Sequence, residues 1–237
     1  MSLLALFDPV VALLHSAVVA VSGLVSPWSG AQSTAVALIL VTLAIRACLV
    51  PFAVRVTRAE RVRTALAPEL AALRRRYGAD RQQLAREVQK FYRRAGVGPF
   101  SGLGSGLAQA PVLFAVYRLC LLPVVAGAPN AVLMGQFWGL SLATHLPFLV
   151  GAGAGPAAVL GGLLLLGALV AVAAVSSVQA THRAKAAGIE GPMLLPAQVL
   201  PFGIVLTAAF VPVAVCLYLL TSTTWSVLER VVLARTL

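Results

Sequence analysis

Ser33 to Phe52, STAVALILVTLAIRACLVPF, is the stretch that most limits what this chain can become. A hydrocarbon core of ~30 Å needs ~20 helical residues at ~1.5 Å rise, and this run supplies them. One charge, Arg46, interrupts it, six residues before Phe52 and so ~9 Å from one face. An arginine near the centre of a span costs about 2.5–3.5 kcal/mol on insertion scales. Such a charge is kept where it meets water, a counter-ion or a substrate. Equally, it can snorkel to the nearer headgroups. Position alone leaves both readings open.

The remainder of the chain is of the same kind. Hydrophobic residues make up 60%, charged residues 11%, and mean hydropathy is +0.95. Soluble domains carry about 25% charged residues, so this composition excludes an ordinary soluble fold and predicts an all-α, multi-spanning membrane protein. Net charge is +11, but its placement is more informative. No Lys or Arg precedes Arg46, whereas twelve basic and four acidic residues lie between Arg55 and Arg94. A basic block beside a span predicts the cytoplasmic side. It would also be drawn to anionic lipid headgroups or to RNA. Cys48, Cys120 and Cys216 lie in apolar runs without metal-ligand spacing and read as small buried hydrophobes.

In chain order, residues 1–30 read as an outer-side segment. It lacks the basic start and A-x-A site of a secretory signal, residues 10–24 read as a helix lying in the outer interface, with an extra span as the alternative, and Ser26 to Gly30 make a turn with Trp28 at headgroup level. Residues 31–57 hold the first span, running inward, with Pro51 removing the hydrogen bond to Ala47. Residues 58–98 differ. Leu66, Leu70, Leu73 and Tyr77, then Leu84, Val88 and Phe91, make two narrow apolar stripes on charged helices. Gly78 stops the first helix and Asp80 with Gln83 starts the second, giving a basic cytoplasmic hairpin.

Residues 99–237 carry the other four spans. The second runs from Leu107 to Val125 and includes Arg118, read as structural; an uncharged outer loop covers 126–156. The third, Ala157 to Val178, returns to a basic cytoplasmic loop at 179–195. From Pro196 the chain is apolar for over thirty residues, too long for one span. It divides at a turn near Phe210 to Pro212, leaving a short fourth leg of ~22 Å that calls for a thinned bilayer. The last span is rich in hydroxyls: Tyr218, Thr221, Ser222, Thr223, Thr224 and Ser226. The expectation is five spans, amino end outside and carboxyl end inside.

Taken together, these residues resemble the YidC family of membrane protein insertases, which has mitochondrial and chloroplast members. The resemblance is carried by Ile45-Arg46 through Leu49-Val50-Pro51-Phe52, Leu66, Pro68-Glu69-Leu70, Arg76-Tyr77-Gly78, Phe91-Tyr92 and Gly96-Val97-Gly98-Pro99. It continues with Gln109-Ala110-Pro111, Ala115 to Arg118, Gln179, Pro212, Leu217-Tyr218 and Ser226-Val227. These occur in order over roughly residues 33–235. The chain departs from the family pattern at Gly98, at Gly102 to Ser105 and at Leu219. It resembles the bacterial short form without a large outer domain.

The resemblance implies a five-span core around a hydrophilic groove in the inner leaflet, with Arg46 inside it. Gln179, Tyr218, Ser222 and Thr223 are the other expected groove residues. Arg74, Arg75, Arg76, Arg93 and Arg94 are expected to meet the ribosome, another partner or anionic lipids. Clients would be nascent membrane proteins, with the ribosome and the Sec translocon as candidate partners, no DNA, and the bacterial plasma membrane as location. The expected activity is not that of an enzyme, and neither cofactor nor metal is expected, since His15, His145 and His182 are scattered. A small transporter with Arg46 as an anion site, or an assembly chaperone or scaffold without insertion activity, are the rival classes.

Overall fold

The computed structural model describes residues 8–65, 67–77, 80–94, 104–148, 155–186 and 189–236. The described chain is mainly helical. Three helical stretches are long and apolar enough to cross a membrane: Asp8–Arg58, Pro156–Ala186 and Gly191–Ala208. The chain divides into two compact units, residues 1–48 with 111–231, and residues 49–110 with 232–237.

In the first unit, helix α1 (Asp8–Ser29) is followed by a 3-10 turn at Gly30–Gln32 and by α2 (Ser33–Ala65). The break falls later than the expected Ser26–Gly30 turn. Pro27 lacks the N–H that would bond the Gly23 carbonyl, and Ser26 Oγ donates to that oxygen instead at 2.9 Å. Helix continuity is thereby kept to Ser29, and Gly30, at φ +53°, makes the turn. Val11, Leu14 and Val18 form the buried stripe of α1. Asp8, in its first turn, meets Arg118 at 2.6 Å, in the last turn of α5 (Gly104–Leu121). Each charge complements the dipole of its own helix. The structural role expected of Arg118 is the one it has, although the helix ends at Leu121 and not at Val125.

Residues 122–148, expected as the end of the second span to Val125 and then as outer loop, are ordered by backbone pairing. Strands β1 (Val124–Val125) and β2 (Ala128–Pro129) form one antiparallel ribbon, and β3 (Gln136–Phe137) and β4 (Leu140–Ser141) another. Val124 opposes Pro129 and Gln136 opposes Ser141. Each ribbon turns on two positive-φ residues, Ala126-Gly127 and Trp138-Gly139, as a tight hairpin requires. Between them sits the short helix α6 (Ala131–Met134), capped by Asn130. Asn130 is 2% exposed; its amide donates to the carbonyls of Leu119 and Leu122, and its oxygen accepts from Val132 N–H. One side chain thus closes the end of α5 and starts α6. His15 Nε2 accepts from Ala131 N–H at 3.3 Å, tying α1 to the same corner.

Helix α7 (Pro156–Ala186) runs past the expected end at Val178 into the basic cluster. The returning leg comprises a 3-10 segment (Gly191–Leu194), α8 (Leu195–Val199), a second 3-10 segment (Leu200–Phe202) and α9 (Gly203–Ala208). Pro192, Pro196 and Pro201 break its regularity. This leg packs along α7, and Ser177 Oγ donates to the Gln198 carbonyl at 2.8 Å. It starts at Gly191, so at ~1.5 Å rise its eighteen residues cover ~27 Å, more than the short leg expected from sequence. A turn at 209–212 leads into α10 (Val213–Thr236). The free N–H groups of Val213 and Ala214 donate to the Thr144 and Leu142 carbonyls at 2.8 and 3.0 Å. The core joins α1, the start of α2, α5, the ribbons, α7, the end of α9 and the start of α10. Cys120 and Cys216 are buried as expected, but Cys48 is exposed on α2.

In the second unit, α3 (Ala67–Tyr77) and α4 (Arg81–Arg94) pack as a hairpin. Asp80 is the N-cap: its carboxylate accepts from Gln82 and Gln83 N–H, each at 2.9 Å. Leu73, Tyr77, Leu84, Val88 and Phe91 are half-buried, the seam the stripes predict. Gly78 and Leu66 lie outside the described residues, as do the side chains of Leu70, Arg74 and Arg94. Arg61 donates to the carbonyls of Leu233 and Ala234 at 3.1 and 3.3 Å, capping the final turn of α10.

Candidate functional site

Arg46 is turned inward. It is 9% exposed, and its Nη2 donates to Ser222 Oγ on α10, 176 residues further along the chain. A guanidinium reaching for headgroups would leave the helix bundle; this one is committed to a neighbouring helix. The bond is charge-assisted and so among the stronger kinds. Thr42, one turn earlier on α2, is also buried, but its hydroxyl returns to the Leu38 carbonyl at 2.7 Å and offers nothing to a ligand.

The wall formed by α10 has a clear phase. Tyr218, Ser222 and Ser226 follow at intervals of four, with Trp225 three beyond Ser222, so they share one face. Tyr218 is 2% exposed and within electrostatic range of Arg46, yet its hydroxyl has no hydrogen bond of sound geometry. The Trp225 indole N–H is likewise buried and unsatisfied. Thr223 is half-buried and lies about 100° round the helix from Ser222, with no hydrogen bond to Arg46.

From α7 come Gln179, which was expected, and Ser176, three residues before it. Gln179 Nε2 donates to the Val227 carbonyl of α10 at 3.4 Å, bridging the two helices, while its Oε1 is buried without a partner. Ser176 Oγ is also buried without one. Four polar atoms on the two helices therefore lack a hydrogen bond of sound geometry, although the Tyr218 hydroxyl has Ser222 and the Trp225 N–H has Glu229 within reach. Leaving a buried polar atom unpaired costs about 1–3 kcal/mol, so such a concentration marks a place for water or a polar ligand. Two donors or acceptors with an arginine can hold extended backbone, carboxylates or water. They offer no nucleophile with a base beside it.

Sequence reasoning missed Ser176, Trp225 and Glu229. Glu229, half-buried on α10, is within electrostatic range of Arg46. Helical spacing from Gln179 and from Ser222 was the signal that could have found all three. Of the basic residues in the hairpin, Arg75, Arg76 and Arg93 are exposed, and Arg76 stacks its guanidinium 5.8 Å from the Tyr77 ring centre. Among the described residues no group of His, Cys, Asp and Glu is arranged to hold a metal ion.

A family model described as 60Kd inner membrane protein matches residues 25–237. The chain is similar to the membrane protein insertase YidC of Mycobacterium leprae, 28% identical over 227 residues, covering 81% of this chain and 60% of that protein. It is also similar to the YidC of Streptomyces avermitilis, 30% identical over 56% of this chain and 30% of that protein. With the YidC of Clostridium perfringens it shares 28% identity over 48% of each. The matches thus span between 30% and 60% of these relatives' own lengths.

Proposed function

The chain belongs to the 60Kd inner membrane protein family, and on that footing we propose that it is a membrane protein insertase of the bacterial plasma membrane. Its clients are nascent membrane proteins. In this reading five spans cross the bilayer, amino end outside and carboxyl end inside, and the Arg46 cluster faces a hydrated groove in the cytoplasmic leaflet. The observation that supports it most is the inward Arg46–Ser222 bond surrounded by the unpaired polar atoms of Ser176, Gln179, Tyr218 and Trp225.

The physical task is to move a polar segment past hydrocarbon, where each unsatisfied backbone group costs several kcal/mol. Gln179, Tyr218, Ser222 and their neighbours give that segment hydrogen bonds part of the way across, with Thr223 at the rim. Arg46 attracts its acidic residues. Greasy residues of the client slide out along α7 and α10 into lipid, and their burial drives the step, at about 25 cal/mol per Å². The membrane potential adds about 2.3 kcal/mol per charge per 100 mV. No covalent chemistry is involved. The hairpin, through Arg74, Arg75, Arg76, Arg93 and Arg94, receives the ribosome or rests on anionic headgroups; the Sec translocon is a further partner.

Proteoliposomes containing the protein test this. Single-span clients with short acidic tails insert when it is present and fail when it is omitted, and Arg46→Ala reduces insertion of acidic-tailed clients most. Unchanged insertion of every client by Arg46→Ala removes the proposed role of that residue. Insertion that proceeds equally in empty vesicles, with ion flux altered by the protein, favours a transporter instead.

A further inference from the structure

Helix α10 carries one acidic residue, Glu229. Ser222, Ser226 and Glu229 stand at i, i+4 and i+7, so Glu229 lies on the face whose Ser222 accepts from Arg46. Seven residues along a helix is ~10.5 Å, two turns beyond that bond. Trp225 fills the interval on the same side, with its indole N–H in reach of the Glu229 carboxylate. Glu229 and Arg46 lie within electrostatic range of each other without forming a contact ion pair. Arg230, the next residue, is exposed and also lies within electrostatic range of the Glu229 carboxylate.

We propose that Glu229 makes the polar cluster dipolar and so sets which charges a client segment can carry. This rests on the insertase reading above. A purely positive cluster would hold an acidic segment anywhere along it. With a carboxylate two turns from the guanidinium, a segment binds best when an acidic residue meets Arg46 and a basic residue or free amino group meets Glu229. Extended chain advances ~3.3 Å per residue, so the ~10.5 Å axial offset of Glu229 from Ser222 corresponds to about three residues of client. Segments that are acidic throughout are penalised at the Glu229 end.

The test compares matched single-span clients in proteoliposomes containing the full chain. One tail bears two acids three residues apart; another bears an acid and a lysine at the same spacing. The ratio of acid–lysine to acid–acid insertion favours the former in the wild type. Glu229→Gln lowers that ratio by about fivefold, the scale of a water-screened charge pair at about 4 Å. Glu229→Lys lowers it further, and Glu229→Asp keeps it, which separates loss of charge from loss of fold. An unchanged ratio in Glu229→Gln and Glu229→Lys, with Arg46→Ala still impairing acidic clients, overturns the role of Glu229 alone. If Arg46→Ala is also without effect, the insertase reading of the cluster falls with it.

Discussion

Replacing Asn130 by Ala removes three hydrogen bonds at a site that is 2% exposed: two donated to the carbonyls of Leu119 and Leu122, and one accepted from Val132 N–H. Each is worth about 1 kcal/mol net, and the three stranded backbone groups have no obvious replacement. A loss of about 2–4 kcal/mol is therefore expected. At roughly 2–4 °C per kcal/mol for a chain of this size, the unfolding midpoint in detergent micelles falls by about 4–16 °C. Asn130→Asp discriminates further. It keeps the acceptor for Val132 but turns both donors into oxygen facing two carbonyls, so it should unfold at a lower temperature than Asn130→Ala. Thermal unfolding followed by circular dichroism and by thiol exposure of Cys120 reads both. If Asn130→Ala unfolds within 1 °C of wild type, or Asn130→Asp equals wild type, the account of this corner as a single-residue clasp is refuted.

Two further outcomes test the same unit. A Cβ at Gly135 would sit 2.6 Å from Thr34 Cβ and 2.9 Å from Leu142 Cδ1; Gly135→Ala should cost about 1–3 kcal/mol by overpacking, again read as a lower midpoint, whereas an unchanged midpoint would show that the ribbons shift freely. In folded protein in detergent, a maleimide should modify Cys48 alone, with Cys120 and Cys216 reacting only after denaturation, as followed by intact mass.

Arg46 was legible as a site because one charge stands alone in an apolar run. Its partner was narrowed to Ser222 or Thr223: residues 221–224 and 226 all carry hydroxyls, and composition does not choose between those two. The structure separates them by phase: Thr221 and Ser226 return their hydroxyls to the Leu217 and Ser222 carbonyls of their own helix, while Ser222 accepts from Arg46. The hairpin was readable because Asp80 and the leucine stripes encode it locally. The ribbons of residues 122–148 were hidden because their turns use Ala126-Gly127 and Trp138-Gly139, where Asn-Gly or Asp-Gly would announce a hairpin. Asn130 looked like any loop asparagine until the end of α5 was in place beside it. Pro27 read as a stop, but its neighbour Ser26 takes up the freed carbonyl, an effect of two side chains that propensity alone does not register.

The most direct measurement asks whether water reaches the level of Arg46. In a protein whose three native cysteines are Ala, Ser222→Cys places a thiol beside the guanidinium, where the thiolate is favoured. Its rate of modification by a small, charged, membrane-impermeant thiosulfonate from the cytoplasmic side, compared with Leu169→Cys in the dry core, reports hydration. A hydrated cluster predicts rapid modification of Ser222→Cys, slowed by adding Arg46→Leu. Modification no faster than at Leu169→Cys would contradict it.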